Sequence, residues 1–503
     1  MNSFGRDVPS GKRPFVSSHD FELTKIKATR DIQKHVGPVV FWKTLHDALN
    51  QLNIQDGATI SFHHHLRNGD FVINMVCEEL SRRNLHNLTL APSSIFPAYE
   101  GIAKLVREGR VSSIYTSYMN GPVSELVQQG NLKGELVMQT HGGRARSIST
   151  GELQIDYAFL ATPAVDSLGN GIGTIGKSAC GSLGYAIADL MYSKHVILVS
   201  DTMVDSITKP EFQKEQVDGV IMVDSIGDAE GIVSGTTKIT RDPIGLKIAK
   251  DTANLLFDLG IIQDGFSMQT GAGGTSLAVT LFVRNLMMEH QIKASFACGG
   301  ITNFYVQMLE EGLVNDLYDV QCFDLDAVRS IGSNPHHHSI SASKYANPYD
   351  HDPICNHLDF VILGATEIDV DFNVNVTTDS FGRIIGGSGG HSDIAYGSKC
   401  SVVVSQLIKS RLPIIKKQVL TISTPGEDVD IFVCERGIAI NPKRDDLIQI
   451  ARKNHIPLFS MNELLSLAHE ITGVPNELPH GEKTIGVVQY RDGTVIDSLY
   501  MSE

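Results

Sequence analysis

The sequence predicts an α/β fold of two tandem, similar, open α/β domains behind an N-terminal extension. Three paired stretches predict it. Residues 54–71, IQDGATISFHHHLRNGDF, open with the same four letters as residues 262–279, IQDGFSMQTGAGGTSLAV, 208 positions later. Residues 156–162, DYAFLAT, are echoed by 359–365, DFVILGA, at an offset of 203, and DSLG at 166–169 by DSFG at 379–382, at an offset of 213. Both copies of the first stretch pass from a helical pattern through an Asp-Gly turn into a short strand, a polar or glycine-rich loop and an apolar helix, so each reads as a β-loop-α unit. Three matches at nearly constant spacing point to a duplication.

In chain order, residues 1–40 are mixed polar and weakly periodic, and read as an extension wrapped on the surface or on a partner. A first domain follows over residues 41–238. It starts with a helix at 44–52, and Asp70 is placed to cap the next helix, FVINMVCEELSRRN. LTLAP, SSIYTSY, GELVMQT, DYAFLAT, HVILVSD and GVIMVDS are its next strands; their β-branched, mostly apolar character predicts a largely parallel, buried sheet. The pattern lapses over GTTKITRDP, residues 235–243, and a helix at 246–259 opens the second domain, residues 239–503. Its strands are ASFAC, DVQCFD, LDFVILGA, CSVVVSQ and DIFVCE. Residues 444–471 read as a helical pair, and VVQYRDGTVIDS as a hairpin whose Asp492-Gly493 suits a type I′ turn.

At 503 residues the chain exceeds one ordinary core, and 42% apolar with 20% charged residues is usual for a globular protein. No run reaches the roughly 18 apolar residues that span a bilayer, and the N-terminus has no apolar signal core, so the expected location is cytoplasmic, with no membrane partner. Seven scattered cysteines, none in a CxxC pair, read as reduced core residues. Net charge is −15 without a long basic cluster, which argues against a nucleic-acid partner.

Ligands of open α/β sheets sit beyond the carboxyl ends of strands, so the loops just after strands carry the candidates. His63, His64 and His65, like His336, His337 and His338, suggest a metal, but adjacent residues of an extended chain alternate faces and cannot converge on one ion; contacts to an anionic ligand fit better, and no metal site is assigned. In QTHGGRAR, residues 139–146, Gly142 and Gly143 precede Arg144 and Arg146, whose guanidinium groups can pair bidentately with carboxylates or phosphates. An exposed basic turn is the alternative. Gly271, Gly273 and Gly274 in GAGG, and Gly299 and Gly300 in CGGITN, can bring backbone N–H groups to a ligand or pack a tight turn. Gly386, Gly387, Gly389 and Gly390 in GGSGGHSD lose so much entropy on ordering that a structural role alone explains them poorly. No GxSxG, HExxH or Walker A lysine stands in the right context, which disfavours elbow hydrolases, zinc peptidases and P-loop enzymes.

Together these motifs carry a resemblance. LNIQDGATISFHHHLRNGD before an apolar helix resembles the opening of the CoA-transferase family, and TEIDVDFNVNV with GGSGGHSD is similar to that family's C-terminal acyl-CoA-binding segment. With HGGRARS, TGAGGTSLAV and SFACGGITNF, the resemblance narrows to the citrate lyase alpha chains and covers nearly the whole chain. It implies a transferase that moves an acyl-carrier-protein thiol from acetate to citrate, in a cytoplasmic, homo-oligomeric complex with a carrier (gamma) chain and a citryl lyase (beta) chain. It further implies no cofactor of its own, only the CoA-like phosphopantetheine of the carrier. On this resemblance Arg144 and Arg146, then Arg67, are candidates for citrate carboxylates, beside Gly142 and Gly143. Gly271, Gly273, Gly274, Gly299, Gly300 and Asn303 are candidates for the thioester oxygen, and Gly386, Gly387, Gly389 and Gly390 for the pantetheine arm.

One departure sets the expected mechanism. Many CoA-transferases use a glutamate nucleophile near the loop that here reads SFACGGITNF, yet no Glu lies between Ser295 and Leu309. A citrate carboxylate is therefore expected to attack the acetyl thioester directly, giving a mixed anhydride without a covalent enzyme intermediate. The alternatives are a transferase for another carboxylate, such as a malonate decarboxylase alpha chain, a thioester hydrolase, or a non-catalytic acyl-CoA-binding module.

Overall fold

The computed structural model describes residues 1–20, 31–32, 34–35, 37–63, 65–233, 238–476 and 481–501. His64, much of the expected extension between 21 and 36, and residues 234–237 beside the expected domain boundary lie outside the described residues.

Two large sheets form the chain. From one edge, the ten-stranded sheet runs Val40–Trp42, Gly219–Met222, His195–Ser200, Tyr157–Ala161, Thr59–Phe62, Leu88–Leu90, Val111–Thr116, Leu136–Met138, Thr484–Gln489 and Val495–Tyr500. The eight-stranded sheet runs Gly437–Ile440, Ile431–Cys434, Ser401–Val404, Phe360–Gly364, Ser267–Thr270, Ala294–Ile301, Val314–Cys322 and His337–Ser339. Only the pairs Thr484–Gln489 with Val495–Tyr500 and Ile431–Cys434 with Gly437–Ile440 are antiparallel. Burial on both faces is why strands such as HVILVS and IFVC read as continuous apolar runs. All seven cysteines are buried.

Seven successive strands have the same order in the two sheets, so the duplication is present in the topology. Thr59–Phe62 and Ser267–Thr270 hold the same place, as do Tyr157–Ala161 and Phe360–Gly364. Even the side chains that pin the register are copied. Asp156 accepts from Thr59 N at 2.9 Å and pairs with Lys194 at 2.5 Å; Asp359 accepts from Ser267 N and pairs with Lys399, both at 2.8 Å.

The third sequence pairing is corrected. Asp166 accepts from the backbone N–H groups of Leu168 and Asn170 and from Asn170 Nδ2, and its duplicate is Asp369, which accepts from Asp371 N, Asn373 N and Asn373 Nδ2. Asp379 of DSFG makes a similar turn with Phe381 N and Arg383 N, so shared turn chemistry produced the matching letters.

The C-terminal hairpin, placed by its chain position with the second unit, extends the first sheet by pairing in parallel with Leu136–Met138. Among its turn residues Gly493 has positive φ and Asp492 does not, so the turn is not type I′. Gly493 N donates to Tyr490 O and Tyr490 N to Thr494 O, as in a type I turn closed by a left-handed glycine. The N-terminal segment lies on this hairpin: Phe15 N and Val495 O, and Val495 N and Arg13 O, bond at 3.0 and 2.7 Å.

Capping places the helices as expected. Thr44 accepts from Asp47 N before Leu45–Leu52, Asp70 Oδ1 from Ile73 N at the start of Val72–Arg82, and Ser460 and Glu463 form a reciprocal box before Met461–Thr472. Among the described residues no helix is long and apolar enough to cross a membrane.

Candidate functional site

Loops from the carboxyl ends of both sheets meet in a buried seam, and the Gly-rich residues 386–390 close much of it. Met119 N donates to Gly386 O, Gly389 N to Ser117 O, and His141 N to Gly389 O, so this loop's backbone pairs with the first sheet's loops. Gly387 permits the close approach, since a Cβ there would sit 2.4 Å from Ser117 O. Asp393, just beyond, accepts from Thr140 Oγ1 at 2.9 Å and Gly142 N at 2.8 Å and lies 3.5 Å from Arg491 Nε of the C-terminal hairpin. Burial pushes its carboxyl up to about 6.

QTHGGRAR is not an open loop. His141–Thr150 is a helix capped by Thr140, which accepts from Gly143 N, while Gly142 packs so tightly on Ala346 that a Cβ would lie 2.0 Å from its carbonyl oxygen. Gly142 and Gly143 therefore spend their N–H groups on Asp393 and Thr140. Arg144 is buried, with both carboxylate oxygens of Asp189 at 2.8 Å, Ser61 Oγ at 3.0 Å and Ala91 O at 2.7 Å. That is a closed structural ion pair. Arg146 points to the helix's other side, pairing with Glu152 at 2.8 Å and lying beside Gly493 and the Tyr349 ring. These partners close the Arg144 fork, whereas Arg146, although beside Glu152, has Nε, Nη1 and Nη2 buried without a hydrogen-bond partner among the described residues.

Arg67 is the contrasting case. It is 7% exposed and takes a left-handed φ of 57°, a backbone state rare for a side-chain-bearing residue, secured by Tyr99 Oη donating to Arg67 O at 3.0 Å. Its guanidinium lies 5.5 Å from the Phe96 ring and 4.7 Å from the Phe323 ring, so it has aromatic neighbours from both sheets' loops. No carboxylate pairs with it among the described residues: Nη1 has a contact of 3.5 Å to Ile232 O, and Nε has no partner. Burial lowers its pKa, opposed by the charges of Tyr118, Tyr99 and Tyr185. Aromatic rings stabilise a cation without consuming its N–H edges, which is where a carboxylate binds.

Side chains that the motifs did not single out complete the seam. Tyr185 lies against the His141 ring, with centroids 4.3 Å apart, and burial holds His141 down at about 3. Gln269, in the strand leading to GAGG, donates to Tyr345 Oη at 2.7 Å and occupies the Cβ side of Gly299; Tyr345 Oη also lies beside Gly390. A polar Gln in an otherwise buried strand was the signal available in the sequence. Gly300 abuts the Phe323 ring.

Gly273 precedes the helix Gly274–His290, and a Cβ at Gly271 or Gly273 would meet only ordinary contacts, at 3.4 and 3.5 Å. Gly271 N–H donates to Ile362 O at 2.7 Å, while the N–H groups of Gly273 and Gly274 lie at the helix N-terminus, where partial positive charge favours an oxyanion. Asn303 is not brought to the seam: its side chain is exposed and its N–H bonds to Asp324. Glu311 pairs with Arg284 at 2.5 Å.

The two histidine runs alternate faces where described. His337 bonds to Asp319 at 3.1 Å while its neighbours His336 and His338 both reach Asp316 on the other side, at 3.1 and 2.9 Å. His63 and His65 share a face, with ring centroids 4.2 Å apart and Nδ1 atoms 2.5 Å apart. Among the described residues no group of three His, Cys, Asp or Glu could hold a metal.

Comparison with known proteins places this geometry. Residues 40–501 match the family model for the citrate lyase alpha subunit. The chain is 43% identical over 458 residues to the citrate lyase alpha chain of Haemophilus influenzae, covering 91% of this chain and 92% of that one. The Klebsiella pneumoniae chain is 43% identical over 457 residues, at 91% and 90% coverage. A crystal structure of a Streptococcus mutans citrate lyase alpha subunit in complex with citrate superposes with a TM-score of 0.95 at 40% identity, covering 100% of both chains. A malonate decarboxylase alpha subunit from Acinetobacter baumannii shares the fold alone, with a TM-score of 0.64 at 14% identity over 88% of this chain and 97% of that one.

Proposed function

Because the chain belongs to the citrate lyase alpha subunit family and is thus the citrate:acyl-carrier-protein transferase component, we propose that it exchanges acetate for citrate on the carrier thiol within the interdomain seam. The observation that carries this placement is Arg67, a buried cation between aromatic rings of both sheets' loops, with no carboxylate paired to it among the described residues. A citrate carboxylate supplies the missing partner, through two charge-assisted bonds in the guanidinium plane.

In the first step a citrate carboxylate attacks the carbonyl carbon of the acetyl thioester. The oxyanion collapses, the C–S bond breaks, and the carrier leaves as thiolate from a citryl-acetyl anhydride. The thiolate then attacks the citryl carbonyl and acetate leaves. Backbone N–H groups of Gly273 and Gly274, at the helix N-terminus, receive the oxyanion, each well-aimed donor lowering the barrier by roughly 3 to 4 kcal/mol. The open Cβ side of Gly273 suits a thioester better than residues 386–390, whose backbone is engaged across the interface.

The carrier's phosphopantetheine arm is a substrate group in this scheme, entering along the 271–274 side; the carrier and citryl lyase chains are the partners, in the cytoplasm. The absence of a Glu from 295–309 supports direct exchange without a glutamyl adduct. The test is an assay with acetyl-loaded carrier and citrate, a parallel tube with malonate, and borohydride trapping. Citryl thioester without a trapped adduct is the expected result; activity on malonate alone, or a reduced glutamyl species, refutes it.

A further inference from the structure

Ser276 lies in the first turn of the helix Gly274–His290, three residues beyond Gly273. It is 1% exposed, and its Oγ has no hydrogen-bond partner among the described residues. A buried hydroxyl in that state costs free energy until a ligand or water completes it. The direction it faces is set by two glycines. A Cβ on Gly273 would lie 3.5 Å from Ser276 Oγ, and one on Gly364 would lie 3.8 Å from it. Chain neighbours apart, it is the one atom either Cβ would meet within 4 Å among the described residues. Gly364 ends the strand Phe360–Gly364, which pairs in parallel with Ser267–Thr270, the strand that leads to Gly273. The hydroxyl therefore floors a gap between neighbouring strand ends, where open α/β sheets receive ligands.

The walls of this gap fix the approach and the role. At Gly274 the space is filled, since a Cβ there would sit 2.9 Å from Lys238 O, and Thr240 N donates to Gly274 O at 3.0 Å. A ligand thus comes in past Gly273 and Gly364. Gly364 O accepts from His391 Nε2 at 2.9 Å, which leaves His391 Nδ1 to accept from Thr424 Oγ1 at 2.8 Å. Both nitrogens of that imidazole are committed, and no base is bonded to Ser276 among the described residues. A serine without a base keeps its proton and serves as a donor, not a nucleophile. The opening belongs to the second copy of the duplicated unit. In the first, the positions of Gly271 and Gly273 hold His63 and His65, whose rings stack with centroids 4.2 Å apart.

Resting on the assignment of the transfer reaction to the seam, we propose that Ser276 is a catalytic residue whose hydroxyl, beside the N–H groups of Gly273 and Gly274, donates to the oxyanion at the thioester carbonyl. When the citrate carboxylate adds to that carbon, the carbonyl π pair moves onto oxygen, and the Ser276 O–H bonds to it while keeping its proton. Collapse returns the pair to carbon and expels the carrier thiolate. The thiolate then adds to the citryl carbonyl and acetate leaves, the hydroxyl again donating without giving up its proton. Ser276 is never acylated. Its bond strengthens as charge develops, so it acts on the transition state more than on the bound substrate.

The test is Ser276→Ala in the full chain, assayed with acetyl-loaded carrier and citrate beside a thermal melt. The expected result is a kcat lower by about a hundredfold or more with the KM for citrate unchanged. The melting temperature should hold or rise, because the free protein loses an unpartnered hydroxyl and no bond. Ser276→Cys, a weaker donor of similar size, gives the same readout where the alanine variant fails to fold. A folded variant with the wild-type kcat, or one whose rate falls only in step with its melting temperature, overturns the role of Ser276 and leaves the transferase reading standing. A wild type that forms no citryl thioester overturns both.

Discussion

Replacing Arg67 with methionine separates a functional arginine from a structural one. Methionine keeps an unbranched chain between Phe96 and Phe323 and meets the same left-handed backbone that arginine already tolerates. In the free protein the substitution removes a buried cation with no carboxylate partner, whose desolvation costs several kcal/mol, and loses ring contacts of about 0.5 to 2 kcal/mol each. The two effects roughly offset, so the melting temperature should hold or rise. In the citrate complex it removes two charge-assisted hydrogen bonds of about 1.5 to 3 kcal/mol each, or roughly 3 to 6 kcal/mol in total. At about 1.4 kcal/mol per tenfold, kcat/KM for citrate should fall at least a hundredfold. Carrier-transfer kinetics and a thermal melt on the same preparation decide the matter. A variant within a few-fold of wild-type kcat/KM, or one that loses as much stability as an Arg144 variant, refutes the assignment.

Arg144→Met should lower stability by about 3 to 5 kcal/mol, because it strands Asp189 in the core; Asp189→Asn in the same chain should recover part of that loss in denaturant titrations. Gly273→Ala should fold with a near-native melting temperature yet transfer slowly, whereas Gly387→Ala should yield little folded protein, its Cβ colliding with Ser117 O; the two melting curves compared with transfer rates provide the check. Asp70 is buried with Oδ2 unpartnered and its carboxyl raised to about 7, so the folded state holds its proton between pH 4 and 7 while the unfolded state releases it. That contribution is fully present below about pH 4 and is lost as pH rises through 7. Asp70→Asn should therefore melt higher than wild type at pH 8 and converge with it near pH 5; identical profiles would show that Asp70 does not titrate in this way.

What was legible in the sequence follows from how far each feature depends on distant partners. Buried parallel strands announce themselves because both faces need apolar side chains, and caps because Thr44 and Ser460 act within one turn. The alternation argument for adjacent histidines needs only strand geometry, and His336, His337 and His338 obey it. The arginines cannot be told apart from the sequence because their difference lies elsewhere in the chain. Arg144 meets Asp189, 45 residues on, while Arg67 lies between the Phe96 and Phe323 rings, and neither sequence neighbourhood records this. HGGRARS read as a loop because two glycines outweighed Thr140, which caps the helix they begin. The C-terminal hairpin's partner strand was invisible for a similar reason: Thr484–Gln489 pairs with a strand about 350 residues away.

On the proposed reading of the seam, duplication explains why it can serve two unlike chemical groups. Thr59–Phe62 and Ser267–Thr270 occupy equivalent central places, so the loops leaving them begin from equivalent positions in their own sheets. One continues with His63, His65 and Arg67, the other with Gly271, Gly273 and Gly274. A carboxylate that must be held through the whole reaction needs fixed charge, and the Arg67 guanidinium supplies it from a side chain that packing locks in place. A thioester oxygen gains charge only in the transition state, and backbone N–H groups at a helix N-terminus match that demand without binding the ground state tightly. The two demands conflict within one loop, since a loop of glycines carries no fixed cation and a loop of histidines leaves no room at the backbone. Two copies of the same strand-loop-helix unit allow each loop to satisfy one of them.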